Sequence, residues 1–285
     1  MKSRVQELVQ IGDQLYTRRF PLLTLWQQLA EQFYPPRADF TRVRYMSEEM
    51  YSYLMSGRPA LAHRELSDAI SAILRPPGEQ WFQAKTADDR INEDRGCKIF
   101  LEKVGTVMRR VMNDRRSQFT RATKEGDQDY ILTGNCVIEP RVNTARNGML
   151  YTAWHLRDTV WAESPEQEIN QLHRKWKIDH RGMIRLFPNT VNQEVRTKSE
   201  KEPFTEVNCR VIVLPADEYD SYGKADGTPG TGRRGNQPFM RVVIDEDHQT
   251  ILEEVPQADL GHVIPRWLLI KGQAQYAYSP TALIA

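Results

Sequence analysis

The chain has 285 residues and a mass of 33.1 kDa, enough for one large domain or two ordinary ones around a buried core. Its 39 basic and 38 acidic residues leave a net charge of +1, which excludes a global electrostatic case for nucleic acid. Hydrophobic residues make up 40% and charged residues 27%, and the longest apolar runs, such as WLLI from Trp267 to Ile270, are far too short to cross a bilayer.

The N-terminal stretch MKSRVQELVQIGDQL reads as an amphipathic helix with polar and acidic residues throughout. It lacks the unbroken apolar stretch and small-residue cleavage site of a signal peptide. The expectation is a cytosolic chain, or one exported only within something larger. Cys97, Cys136 and Cys209 are odd in number and far apart, so they build neither a metal site nor a disulfide framework and read as free thiols in a reducing compartment.

In chain order, Val5, Leu8, Val9 and Leu15 mark a first helix by their spacing. Leu22, Leu25, Trp26, Leu29 and Phe33 mark a second, ended by the prolines of YPPR at Tyr34 to Arg37. A third helix spans about Pro59 to Leu74, with Leu61, Leu66, Ile70, Ile73 and Leu74 as the expected buried stripe, and stops at RPPGEQWF. A fourth uses Phe100, Leu101, Val104, Val107, Met108, Val111 and Met112. A fifth runs from about Arg116 to Leu132.

From GNCVIEPRV onward, alternation and β-branched residues replace helical spacing: CVIEPRV, MLYTAWHL, TVWA, EVNCRVIVL and FMRVVID read as strands. Short helices interrupt them near Arg181 to Leu186 and Asn192 to Lys201. GKADGTPGTGRRGNQP, Gly223 to Pro238, reads as a mobile surface loop. Near the end, Ser279 and Pro280 announce a helix. A serine hydroxyl accepts from first-turn N–H groups, and proline at the first helical position sacrifices no hydrogen bond. The fold class is therefore α+β, a helical N-terminal half followed by a β-rich half. The expected division is a helical region 1–133, a β-rich region 134–270 with short helices, and a turn with the start of a long helix at 271–285.

The search for chemistry returns no catalytic constellation. Gly227 and Gly232 have the outer spacing of a phosphate-binding loop. However, Arg233 stands where its lysine belongs, and Arg234 stands in place of its Ser or Thr. The six histidines offer no HExxH; His248 in DEDHQT sits among Asp245, Glu246 and Asp247, which read more simply as an acidic hairpin turn than as a divalent-metal site. No GxSxG elbow and no dinucleotide turn is present. The tryptophans, Trp26, Trp81, Trp154, Trp161, Trp176 and Trp267, fall on apolar or alternating positions and read as core.

Charge is mildly asymmetric, with 23 basic and 19 acidic residues through Leu150 against 16 and 19 afterwards. Its one concentrated stretch is Arg109 to Lys124, where six cations face only Asp114. That stretch is either a solvated surface or one that faces phosphates. No catalytic, cofactor-binding or metal residues are assigned, and no cofactor is expected.

Taken in series, TLWQQLAEQFYPPRADF, ALAHRELSDAISAILRPPGEQWFQAK, DYILTGNCVIEPRV, HRKWKIDHRGMIRLFP and VIPRWLLIKGQAQYAYSPTALIA resemble the portal, or head-to-tail connector, proteins of short-tailed bacteriophages. The order and spacing of these segments over Thr24 to Ala285 carry the resemblance. Ala277 departs from it, standing where the family has glycine before Ser-Pro. The chain's length departs too, since family members continue for hundreds of residues beyond that point.

The resemblance implies a wing in the helical half, a clip within the β-rich half, and a stem helix opened by Ser279 and Pro280. It implies a non-enzymatic ring of about twelve copies at one capsid vertex. Double-stranded DNA would pass through the ring during packaging and ejection. Partners would be the terminase motor, tail adaptors and capsid protein. The location would be the virion, and the host cytoplasm during assembly, with no membrane. The contrasting readings are a metal-dependent nucleic-acid-processing enzyme and a non-ring capsid or adaptor protein.

Overall fold

The computed structural model describes residues 3–45, 47–52, 54–76, 78–222, 237–269 and 275–284. In chain order these form α1 (Arg4–Phe33), α2 (Arg58–Leu74), α3 (Asp89–Glu93), α4 (Arg95–Met112), α5 (Phe119–Thr133), β1 (Val137–Val142), β2 (Met149–Trp154), β3 (Thr159–Glu163) and β4 (Ile169–Asp179). They continue with α6 (His180–Leu186), α7 (Gln193–Ser199), β5 (Glu206–Pro215), α8 (Ala216–Ser221), β6 (Phe239–Asp245), β7 (Thr250–Gln257) and α9 (Pro280–Ile284). The class is α+β, as the sequence implied. Glycine-rich Gly223 to Pro238 lies outside the described residues except for its last two.

Helix boundaries follow local chemistry. At the start of α1, Ser3 Oγ accepts from Gln6 N–H at 3.3 Å and Gln6 Oε1 accepts from Ser3 N–H at 3.1 Å, a reciprocal cap. The two expected N-terminal helices are one, because α1 runs through Pro21. An interior proline costs about 3 kcal/mol, and burial on both sides of it outweighs that: Val5 and Leu8 before it, Trp26, Leu29 and Ala30 after it. The fifth helix starts at Phe119, later than expected. Asp114 caps a 3-10 turn at Arg115–Ser117, and Gln118 takes the left-handed conformation at φ 57°.

The chain folds as two compact units, each drawn from separate stretches. The described part of the first takes residues up to Leu25, His155–Gly261 and Gln275. Its frame is a five-stranded antiparallel meander, β3-β4-β5-β6-β7. Alternation along β5 sends residues to two buried faces. Ile212 and Leu214 pack with Val5 and Leu8 of α1, Tyr219 of α8, and Met240 and Val242 of β6. Val207, Cys209 and Val211 pack with Met183 of α6 and Val191 and Val195 at α7.

Polar groups are also buried beneath α1. Arg210, 1% exposed at its side chain, pairs with Asp13 at 2.8 Å and with Glu246, and donates to the Val9 carbonyl at 2.9 Å. Burial raises the Asp13 carboxyl, and Arg210 more than offsets that, holding it below its ordinary value. Arg19 donates to the carbonyls of Leu156, Thr159 and Arg157. His173 pairs in register with Ile212, which sets it on the α1 side of the sheet. It is wholly buried, accepts from Gln171 Nε2 at 3.0 Å, and is pushed down to about 3 by burial and then by Arg210.

The second unit takes Trp26–Trp154 and the described residues of 262–270 and 276–285. It holds α2 to α5, the two-stranded antiparallel sheet β1-β2 and α9. Here the expected stripe of α2 is turned around. Leu61, Leu66, Ile73 and Leu74 are exposed, and the residues buried are His63 and Ser67. The inward side of α2 faces aromatic and polar partners, with His63 stacked on Tyr34 at 5.2 Å. On α4 only Gly105 is buried, while Phe100, Val107, Met108 and Val111 are exposed. Trp26 and Trp161 are core, as expected, but Trp267 is 43% exposed.

Gly12 gives a test of the packing under α1. A Cβ there would lie 2.4 Å from Arg210 Nη1 and 2.6 Å from His173 Nδ1. Arg210 is pinned by three partners and cannot step aside cheaply. Gly12→Ala on an open helix surface would stabilise by up to about 1 kcal/mol, whereas here it should destabilise by about 1–3 kcal/mol. Denaturant unfolding distinguishes the two signs.

A second test uses pH. Free histidine titrates at 6.5 and folded His173 at about 3, so below pH 6.5 the unfolded state binds the proton that the fold refuses. Stability must therefore fall as pH falls from 6.5 to 5. His63, pushed to about 4 by burial, adds the same sign. Thermal midpoints should be lower at pH 5 than at pH 7, and His173→Gln should shrink that difference. An equal slope in the variant would contradict the assignment.

Candidate functional site

The acidic residues around His248 are each engaged structurally. In the β6–β7 hairpin, Asp245 is fully buried and accepts from His248 N–H at 3.0 Å and Nδ1 at 2.8 Å. Glu246 holds Arg210, and Asp247 accepts from Asn208 N–H at 2.9 Å. Among the described residues no group of three His, Cys, Asp or Glu could hold a metal ion. The loop Gly227 to Arg234 lies outside the described residues.

The basic stretch divides between two settings. Arg116 pairs with Asp114, whose carboxyl is held at about 2 by hydrogen bonds from the Arg116 side chain and backbone, and Arg121 pairs with Glu125 at 2.9 Å. Arg109 and Lys124 line one cleft of about 670 Å³ beside Trp81 and Phe119, whose rings stack at 6.2 Å. Asp68 and Glu79 line the same cleft, and Arg75 within it is already held by Asp127. Its charges are thus mixed.

Four of the five segments that carry the family resemblance come together around α5; HRKWKIDHRGMIRLFP lies instead in β4 and α6 of the first unit. In FYPPRADF, Gln27 Nε2 donates to the Ala38 carbonyl at 3.0 Å and its Oε1 accepts from Phe40 N–H at 2.8 Å, folding the turn back on α1. Arg37 then makes a two-pronged pair with Asp129 of α5, at 2.9 and 2.7 Å. Burial opposes the Arg37 charge, but Asp129 outweighs it and raises the group above its ordinary value. In RPPGEQWF, Arg75 pairs with Asp127, two residues before Asp129 on the same helix. Cys136 is buried beside these acids. Burial first, and the Asp129 and Asp127 charges next, push its thiol up, so it is an inert packing group.

The C-terminal end of α5 receives the last segment. Gly134 caps the helix at φ +81°, and a Cβ there would lie 2.6 Å from the Tyr278 carbonyl carbon. Only glycine fits. Asn135 reads the backbone of Ala277 in both directions, donating from Nδ2 to its carbonyl at 3.0 Å and accepting from its N–H at 2.9 Å. Ser279 Oγ donates to the Leu132 carbonyl at 2.7 Å and accepts from Ala282 N–H at 2.9 Å; Thr281 donates to the Ile131 carbonyl at 2.9 Å. Leu132 and Ile131 are in the last turn of α5, where carbonyls lack helical partners. Pro280 opens α9.

Sequence reading separated Gly-Asn and Ser-Pro by more than a hundred residues and offered no link between them.

A family model described as bacteriophage head to tail connecting protein matches residues 5–284. The chain belongs to that family and is a structural component that joins head and tail of the virion. No curated protein matches the chain.

The α5–Ala277 contact is testable. Asn135→Ala leaves both backbone groups of Ala277 unpaired in a buried place, a loss of about 1–3 kcal/mol for each group left bare. Hydrogen exchange over 276–284 should accelerate at least tenfold, with exchange in β4 to β6 unchanged. Unaltered exchange at 276–284 would show that the amide does not hold the segment.

Proposed function

We propose that this head-to-tail connector works as a portal. About twelve copies close into a ring by heterologous contacts, with double-stranded DNA passing along the axis during packaging and ejection. The family match over residues 5–284 carries this reading. It is supported by the apolar surface of α2 and α4, which a lone chain leaves in water and a neighbour would cover.

In this reading residues 1–133 form the wing, the clip lies within 134–270, and Ser279 and Pro280 open the stem helix. Terminase docks on the ring and supplies ATP hydrolysis, tail adaptors follow it, and capsid protein surrounds the vertex. The connector itself performs no chemistry. A net charge of +1 suits a channel, since tight phosphate binding by every copy would hold DNA in place.

Native mass spectrometry at micromolar concentration tests the reading. The expected result is a single cyclic species of about a dozen copies. A stable monomer or a two-fold dimer would sink it.

A further inference from the structure

On α4 the apolar residues Phe100, Val104, Val107 and Val111 recur at three- and four-residue steps, one row along the helix. Phe100 is 64% exposed and Val107 59%, so the row faces water in the single chain. On α2 a second row, Ala62, Leu66, Ala69 and Ile73, has the same steps, and Ile73 is 78% exposed. Two amphipathic helices of one unit thus turn apolar rows outward.

The charges beside the two rows are opposite in sign. Lys103 and Arg110 border the row on α4, and neither has an ion-pair partner among the described residues. Glu65 borders the row on α2, while Asp68 lies about a third of a turn from that row, toward the cleft already described. Viewed from each N-terminus, the charged border lies on the same side of its row. Same-side borders meet only when helices run antiparallel.

We infer that α2 of one copy docks antiparallel onto α4 of the next, making this pair of helices the contact that repeats around the assembly. The inference rests on the ring reading above and names its interface. In this alignment Leu66 meets Val107, Ile73 meets Phe100, and Ala69 leaves room for Val104. Glu65 lies beside Arg110, at the border of the contact. Arg58, the first residue of α2, falls past the end of α4 and meets no cation of that helix. Because the two surfaces differ, the contact is heterologous. Each copy offers α2 to one neighbour and α4 to the other.

Cysteine cross-linking tests this on the full chain, in a Cys97→Ser background so that no other half-buried thiol competes. Leu66→Cys and Val107→Cys replace exposed side chains and leave each unit's core intact. Oxidation of the double variant should give a ladder of linked chains extending beyond the dimer on a non-reducing gel. Either single variant should stay unlinked, since each thiol would then face an apolar residue of its neighbour.

A linked dimer from a single variant would overturn the inference by showing a self-complementary contact. No ladder from a protein that still assembles as a ring would overturn it and leave the ring reading standing; a chain that stays monomeric would overturn both. Charge reversal gives a second readout. Arg110→Glu should raise the concentration needed for assembly at least tenfold, and adding Glu65→Arg should restore it. A reversal without effect, or one that the second change fails to rescue, contradicts the docking.

Discussion

Two buried carboxylates on α5, Asp127 and Asp129, hold the chain at two of its proline breaks. Each meets an arginine that adjoins the break itself, Arg75 before RPPG's prolines and Arg37 after those of YPPR. Burying two acids on one helix is costly in desolvation, and well-packed apolar residues would serve stability as well or better. What the pairs supply is direction. They fix where α1 ends and where α2 ends against α5, and removing either arginine would leave a buried charge alone. With α2 held this way, His63 and Ser67 face inward and the apolar row faces out. The same helix then receives Ala277, Ser279 and Thr281 at its last turn.

Much of this fold is legible in the sequence. Alternation identified strands β1, β2, β3, β5 and β6, because a sheet with a buried face reads with period two. Proline runs marked the ends of α1 and α2, since a residue without an N–H and with a clashing ring cannot extend a helix. Serine before proline marked the start of α9.

Other features were hidden for identifiable reasons. Spacing read as two helices, yet burial on both sides of Pro21 carries α1 through as one. The stripe rule assigned Leu66 and Ile73 inward because it assumes that apolar faces are covered within one chain. Nothing in the sequence marks Arg210 and Arg19 as buried, since the carbonyls and carboxylates that accept from them lie far along the chain. Gly12 gave no signal of its own; its role exists only because Arg210 and His173 lie beneath it. The link from Asn135 to Ala277 required folding to become visible.

A connector of head and tail needs surfaces more than sites, and the chain is built accordingly. Its buried acids Asp127, Asp129 and Asp245 are held in internal pairs, while exposed apolar rows and the cations Lys103 and Arg110, unpaired among the described residues, lie on helices of the second unit. Cryo-electron microscopy of the assembled protein tests the central claim most directly. The account predicts a cyclic ring with an open axis, in which every copy meets two neighbours through two different surfaces. A closed two-fold particle, or a particle without an axial opening, would contradict it.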